Sequence, residues 1–377
     1  MKIINIISSL AFGGAETQII KLSKQLVKMG HQVKIITLSD DNPRAEELAN
    51  SGVELQIVPK KSKLDLTVVY NLYRAIKRWK PDIVHGYLYD AEFYARLAAW
   101  PTGIPVINSE RNDSYKSNKT QYLGDLLTSG LTTSVIANSY AGKNFAMTRF
   151  PRLCANAFHV VWNGIDMKDV NQRIAHCNKD YKADFFGQKN IKLACMVASI
   201  KPQKDYEYAL DIADNLIAED EQWRVIFLGE KVATNTDTYQ NKIFDKHQKL
   251  TNKDKIIFLG NRTDVLEILS QTDVSFLTSK HEGFPNAVLE SMAVGTPVIT
   301  TNFSDIIRIS PFDWTIINDR NPAEFTTQLI KAGQLKSDLK SDYLRWTSAN
   351  FSIETATNNL VDIYSIYCEN HHDKTDH

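Results

Sequence analysis

Two glutamates eight residues apart, Glu282 and Glu290, offer the plainest chemistry in this sequence. Glu282 stands in a tight Glu-Gly-Phe-Pro-Asn segment, and Glu290 follows about a turn and a half into a helix that starts near Pro285, whose ring sets φ for a first turn. Ala287, Val288, Leu289, Met292 and Ala293 supply the apolar positions of that helix. Gly295 suits the left-handed residue just past its end, and Pro297 opens the next strand. The apolar run 273–278 before it reads as a buried strand. In such a strand, loop and helix both carboxylates can face one crevice beyond the strand's carboxyl end, where helical N–H groups and a partial positive charge suit phosphate. A carboxylate accepts two hydrogen bonds from vicinal hydroxyls, so Glu290 suits a ribose and Glu282 a sugar. A capping glutamate and a solvated one on an ordinary helix would leave the same trace.

Elements that position such a pair recur along the chain. Residues 2–8 form an isoleucine-rich strand of the kind buried on both faces, followed by Gly13-Gly14, a helix from about 15 to 29 and a second strand at 32–38. The glycine pair permits close backbone approach to a ligand or a plain turn. Strands at 54–58, 82–85 and 106–108 alternate with helices at 65–79 and 91–100. His85 ends one strand as a potential proton carrier, and the polar run from Ser109 through Glu110, Arg111, Asn112 and Asp113 follows the next. Arg111 suits an anionic group or an internal pair with Asp113. After a strand at 134–137 and a helix capped by Asn138-Ser139, Asn163-Gly164 marks a sharp turn and a domain boundary, with 167–190 as a polar linker and entry to the second domain. The pattern repeats beyond it, with strands at 191–200, 223–229, 256–259 and 314–317 and helices at 206–218, 238–250, 264–270, 322–332, 337–349 and 353–367. The fold class is α/β, doubly wound in both halves.

At 377 residues there is room for two domains. Cys154, Cys177, Cys195 and Cys368 lack metal-ligand spacing, which predicts reduced thiols and a cytoplasmic protein; Asp40-Asp41 reads as a turn and the histidine-bearing tail 371–377 as frayed. Residues 1–165 carry 20 lysines and arginines against 13 aspartates and glutamates, leaving 24 against 31 in the remainder. The basic excess gathers at Lys60, Lys61, Lys63, Arg74, Lys77, Arg78 and Lys80, with Trp79 among them. Anionic lipid headgroups, a phosphate-bearing acceptor or plain solvation would each suit that cluster. Overall charge is zero and no recognition motif appears, which disfavours nucleic acid.

The stretch Glu282-Gly-Phe-Pro-x4-Glu290-x-Met-Ala-x-Gly295-x-Pro297-Val resembles the Glu-x7-Glu signature of the retaining glycosyltransferase family 4, of the bacterial surface-polysaccharide type. The resemblance implies a GT-B fold: an acceptor-binding Rossmann-like domain at 1–166, a nucleotide-sugar-binding one at 167–350, a cleft between them, and a last helix at 351–377 crossing back to the first. The segment Asn163-Gly164-Ile165-Asp166 resembles the family's crossing between domains. Ser199-Ile-Lys201-Pro-Gln-Lys204 resembles its Arg-Leu-x3-Lys pattern, in which Arg and Lys bind the diphosphate. This sequence keeps the lysine and carries Ser199 in place of the arginine; Lys201 is the nearby cation. The implied roles are Lys204 and Glu282 in catalysis, with Glu290, Gly283, Phe284, Pro285, Asn286, Ser199, Lys201 and Gly14 around the donor. Gly13, His85, Glu110 and Arg111 lie on the acceptor side, where many relatives have a histidine that this chain replaces by Glu110-Arg111 and Tyr87. The resemblance implies no metal and no cofactor beyond a nucleotide-sugar co-substrate, UDP favoured, and a glycan or lipid-linked acceptor met at the inner membrane face. The activity expected is hexosyl or N-acetylhexosaminyl transfer; Ser199 and the altered first-domain loop keep open a weakened relative that binds sugar nucleotide or glycan as an assembly partner.

Overall fold

The computed structural model describes residues 1–62, 64–111, 119–229 and 238–375, with the backbone alone at 119–120 and 370–375. Its chain divides into two compact units, Met1–Gly164 with Ile353–His377, and Ile165–Ser352.

The first unit is a seven-stranded parallel sheet in the order β3-β2-β1-β4-β5-β6-β7. Its elements are β1 (Lys2–Ile7), α1 (Gly14–Lys28), β2 (Gln32–Thr37), β3 (Glu54–Ile57), α2 (Leu66–Trp79), β4 (Ile83–Tyr87), α3 (Tyr89–Ala99), β5 (Val106–Glu110), α4 (Lys119–Thr128), β6 (Ser134–Ala137), α5 (Tyr140–Arg149) and β7 (Phe158–Val160). Isoleucines of β1 point alternately into two cores: Ile3 and Ile7 pack with Ile19, Leu26 and, from the far end of the chain, Leu360 and Tyr364, while Ile4 and Ile6 pack with Leu72, Ile76, Tyr94 and Ala95. Burial on both faces explains the near-continuous apolar run. Caps fix the helices: Asp65 accepts from Thr67 N on α2, and Ser139 from Gly142 N on α5. Gly164 is required by packing, because a Cβ there would stand 2.8 Å from the Cα of Ile353. Its peptide is read by Gln18, whose amide both donates to Gly164 O and accepts from Gly164 N, at 3.0 and 3.1 Å.

In the second unit come α6 (Met167–Ala175), α7 (Tyr181–Phe186), β8 (Lys192–Val197), α8 (Tyr206–Glu219), β9 (Trp223–Leu228), α9 (Thr238–Gln248), β10 (Ile256–Gly260), α10 (Val265–Gln271), β11 (Val274–Leu277), α11 (Asn286–Ala293), β12 (Val298–Thr301), α12 (Ile306–Ile309), β13 (Ile316–Ile317), α13 (Pro322–Gln334) and α14 (Lys336–Phe351). The sheet order β10-β9-β8-β11-β12-β13 is again parallel, and α11 packs on α10 and α14 while α8 packs on α13. The final helix, α15 (Ile353–Thr375), belongs to the first unit, lying against α1.

Several expectations are corrected. The run 167–190 is not a linker: Asp166 caps α6 through Lys168 N and Asp169 N, and Asp180 caps α7 through Ala183 N. β4 runs two residues beyond His85, to Tyr87, so the imidazole sits inside a strand rather than at its end. α4 and α12 form where no element was expected, and α11 begins at Asn286 with Pro285 as its N-cap, one residue later than the proline suggests. Asn112, Asp113 and Lys63 lie outside the described residues, as do the side chains of the histidine-bearing tail.

Candidate functional site

Each sheet reverses its strand order once, between β1 and β4 in the first unit and between β8 and β11 in the second. Diverging connections leave a crevice at the carboxyl ends of such strands, the place where open sheets bind ligands.

At the second-unit switch point two loops are laced together. The loop after β8 makes one 3-10 turn, Pro202–Lys204, and enters α8 through Asp205. From the loop after β11, Lys280 N donates to Gln203 O at 2.8 Å, and Gln203 Nε2 returns a bond to His281 O at 2.7 Å. Thr278 Oγ1, fully buried, donates to Lys204 O at 2.7 Å. This backbone lacing aims the Lys204 ammonium at Glu282 Oε1, which also accepts from Ser279 Oγ at 2.6 Å. Both side chains are largely enclosed, 18% and 9% exposed. Glu282 Oε2 has no hydrogen-bond partner among the described residues, so one carboxylate oxygen is committed to the protein and one is left over.

Beyond Glu282 the chain passes buried Gly283, Phe284 and Pro285 into α11. Phe284 packs on Phe351, ring centroids 6.0 Å apart. No side chain caps the first turn of α11, so its N-terminal field is not cancelled locally by a capping group. Val288 N and Leu289 N already fold back onto Pro285 O, at 3.0 and 3.2 Å, which closes the first turn of α11 and leaves the Ala287 amide ahead of the helical ladder. At the far end Gly295, at φ +75°, closes α11, with Thr296 N donating to Ser291 O at 2.9 Å.

Glu290 lies half-buried in the second turn, and its charge reaches Arg173 of α6, a residue the sequence reading passed over. Arg173 forks onto Glu267 at 2.9 and 2.8 Å and donates to Thr263 O at 2.6 Å. The Glu267 carboxylate, with smaller help from Asp169 and Glu290, raises its pKa. Ser199 is half-buried at the end of β8, and Lys201 is exposed, flanking the 3-10 turn rather than joining the Lys204–Glu282 pair.

Asp205 is also new. It holds φ +48°, a left-handed value uncommon for a residue with a Cβ, and its carboxylate, 12% exposed, accepts from Arg320 and lies 3.4 Å from Lys280. Arg320 in turn lies over the Tyr208 ring at 4.8 Å.

At the first-unit switch point the polar groups are turned inward. Gly14 is exposed at the start of α1, and Gly13 O accepts from Thr17 N and Thr17 Oγ1. His85 is 0% exposed, its Nδ1 2.6 Å from Tyr364 Oη and its ring 4.2 Å from that of Tyr87. Burial, then the Arg111 charge, depresses its pKa well below the usual histidine value; it is a neutral core imidazole, not a solvent-facing proton carrier. Arg111 donates to Ser109 Oγ at 2.8 Å and Asn163 Oδ1 at 2.9 Å, and lies 5.2 Å from the Tyr87 ring centroid. Burial lowers its pKa, with Tyr87, Tyr364 and Glu110 opposing. Glu110 accepts from Arg149 at 2.5 Å.

Comparison with known proteins gives this arrangement a class. Residues 179–310 match the model of glycosyl transferases group 1, and residues 12–169 match that of glycosyltransferase family 4. The chain is 25% identical over 317 residues to the UDP-Gal:alpha-D-GlcNAc-diphosphoundecaprenol alpha-1,3-galactosyltransferase of Escherichia coli, covering 80% of this chain and 79% of that one. It superposes on HepE from Anabaena, solved with UDP and glucose, with a TM-score of 0.79 at 17% identity over 97% and 99% of the two chains. A Rickettsia africae glycosyltransferase gives a TM-score of 0.81 at 16% identity over 98% and 99%. The chain is a GT-B glycosyltransferase.

In this glycosyltransferase the family 4 match ends within α6, at residue 169, and the group 1 match begins after it, at 179, and takes in both loops of the second switch point, Lys204 and Glu282 included. The four cysteines are unpaired. Among the described residues no three His, Cys, Asp or Glu side chains gather as metal ligands would, and no helix is long and apolar enough to cross a membrane.

Proposed function

We propose that this glycosyltransferase moves a hexosyl or N-acetylhexosaminyl group from a UDP-sugar, bound by its second unit, to a lipid-linked or polysaccharide-precursor acceptor bound by its first, with retention at the anomeric carbon. The observation that carries the reading is the Lys204–Glu282 pair at the β8/β11 switch point, set before an α11 whose first turn no side chain caps. The bond from the anomeric carbon to the β-phosphate oxygen breaks with its electron pair going to the diphosphate, so negative charge grows on that oxygen. Lys204 and the α11 N–H groups are placed to stabilise it. The acceptor hydroxyl attacks the same face of the sugar and gives its proton to the leaving phosphate oxygen; the sugar and acceptor oxygen join, and UDP departs. No protein base is required. The positive field comes from the chain itself, so the reaction as proposed uses no metal. Glu282, with Oε2 unclaimed, takes a sugar hydroxyl, and Glu290 the ribose.

Two likenesses lend support to the donor and acceptor classes: HepE was solved with UDP and glucose, and the Escherichia coli relative is named for a diphosphoundecaprenol acceptor. A thermal-shift screen of UDP- and GDP-sugars tests the donor. A UDP-sugar at a hundredfold excess over its Kd is expected to stabilise the protein by about 2.7 kcal/mol, and the absence of a shift with any nucleotide sugar would defeat the reading.

Contact with an anionic membrane fits the first unit. Arg74, Lys77 and Arg78 are exposed along α2 beside Leu66 and Tyr70, 69% and 60% exposed, and with Lys34 they line a groove of about 820 Å³. Lys60 is set apart from them: it pairs with Asp90 and lies over the Tyr94 ring. Since each basic side chain near an anionic surface contributes about 1 kcal/mol, the triple variant Arg74→Glu, Lys77→Glu, Arg78→Glu is expected to abolish co-flotation with phosphatidylglycerol vesicles at physiological salt. Undiminished flotation would assign these cations to solvent.

A further inference from the structure

Sugar transfer uses the carboxyl ends of the strands, yet a cavity of about 440 Å³ opens at the amino ends of β4 and β5. Tyr73 and Ile76 of α2, Pro81 before β4, and Pro101 and Ile104 before β5 give it apolar walls, with Cys368 of α15 beside them. Burial pushes that thiol up to about 11, so it stays neutral. Two of the polar lining groups are spent on the fold: Thr102 Oγ1 donates to Ala99 O at 2.6 Å, and Asp82 Oδ2 accepts from Lys2 N at 2.7 Å. Lys77 and Lys80 are not. Both are exposed, and neither has a carboxylate partner among the described residues; Lys77 Nζ lies 5.6 Å from the Tyr73 ring centroid. Lys80 also stands where a lysine is out of place. It ends α2 at φ +52°, the left-handed position that glycine or asparagine ordinarily fills. Lys77 and Arg78 already answer the helix dipole in the last turn, so the fold gains little from a third cation on a strained residue.

We propose that this cavity holds one anionic phospholipid, its phosphate between Lys77 and Lys80 and the start of its acyl chains against Ile76, Pro101 and Ile104. The proposal rests on reading α2 as membrane-facing, and adds to that diffuse attraction a discrete site remote from both switch points. Size, charge and surroundings select the class. The volume falls within the roughly 300–1,000 Å³ of pockets that enclose a small ligand, and its apolar walls give a free phosphate nothing to fill them. Two unpaired ammonium groups against one engaged carboxylate favour an anion over a neutral or zwitterionic head. Lys77 lines both this cavity and the groove of Arg74 and Arg78, so the site continues the basic stripe. Trp100, next to Pro101, is 66% exposed, and an indole with one apolar and one polar edge suits a membrane interface.

Isothermal titration of the full chain with dihexanoylphosphatidylglycerol, kept below its micelle concentration, tests this without a membrane. Saturable binding of one lipid per chain is expected. Dihexanoylphosphatidylcholine, with the same chains and no net charge, is expected to bind roughly tenfold more weakly, and inorganic phosphate at the lipid's concentration is expected to leave the affinity unchanged. Lys80→Gly is expected to raise the melting temperature, because glycine holds φ +52° freely, and yet to weaken binding roughly fivefold, the usual contribution of one basic side chain near an anionic head. Ile104→Trp keeps both lysines and fills the space, so a loss of roughly tenfold there separates a cavity from surface charge alone. No saturable binding, equal affinity for the two lipids, displacement by phosphate, or an affinity unchanged in Lys80→Gly or in a folded Ile104→Trp would each overturn the assignment. The membrane reading fails separately, by undiminished flotation of the α2 triple variant while the unaltered chain still binds the soluble lipid.

Discussion

Lys204→Ala is expected to lower kcat by roughly 10²- to 10³-fold, the usual consequence of deleting one charge-stabilising donor from a water-poor site, or about 2.7–4 kcal/mol of barrier. Lys204 is the ammonium that the lacing of the β8 and β11 loops presents to Glu282, whereas Lys201 is exposed at the flank and Ser199 carries no charge. The same deletion has a stability cost, because a carboxylate only 9% exposed would keep Ser279 alone as partner; breaking such a pair costs about 3 kcal/mol. A second variant separates the two effects. In Lys204→Ala with Glu282→Gln no buried charge remains unmatched, so most of the lost stability is expected to return while kcat stays low. Recovery of kcat along with stability would show that Lys204 serves the fold alone. Glu290→Ala, by contrast, is expected to weaken UDP binding at the ribose, since Glu290 lies in the second turn of α11 rather than at the pair.

How far the sequence could lead depended on which residues punctuate it. The stretch around Glu282 was legible because proline and glycine fix backbone geometry locally: Gly295 takes φ +75° where a helix end requires it, and β12 begins directly after Pro297. α6 and α7 left only short apolar traces, Met167, Val170 and Ile174 in the one and Tyr181, Phe185 and Phe186 in the other, with Val170 and Tyr181 their only buried residues; the Asp166 and Asp180 caps were the firmer sign. His85 looked like a strand end because glycine and tyrosine follow it, yet its partner Tyr364 lies 279 residues away. A contact of that separation imprints no periodicity. Asp205–Arg320 and Glu110–Arg149 were hidden for the same reason, with 115 residues between the former and 39 between the latter. Lys204 itself carried no local mark and was placed through its family resemblance.

Asp205→Ala is expected to cost the second unit about 3 kcal/mol, seen as a fall of roughly 6–12 °C in its melting temperature for a unit of this size. Two contributions make up that figure. A carboxylate 12% exposed loses its charge-assisted bond to Arg320 and its attraction to Lys280, worth about 1.5–3 kcal/mol and nearer the lower value because Arg320 is 40% exposed and regains water. Alanine must also hold φ +48°, a region that aspartate visits more readily and that costs other residues with a Cβ about 1–2 kcal/mol. Asp205→Gly removes the second contribution and keeps the first, so it is expected to recover about 1–2 kcal/mol relative to alanine. Arg320→Ala removes the tether alone. Because Asp205 directly follows Lys204 and shares with it the hydroxyl of Thr278, a loosened turn lets the ammonium wander from Glu282. The glycine variant, relaxed in backbone but untethered, is therefore expected to fold well and still lose kcat severalfold with donor KM little changed. Equal melting temperatures for the alanine and glycine variants would remove backbone strain from this account, and full activity in Arg320→Ala would remove the tether.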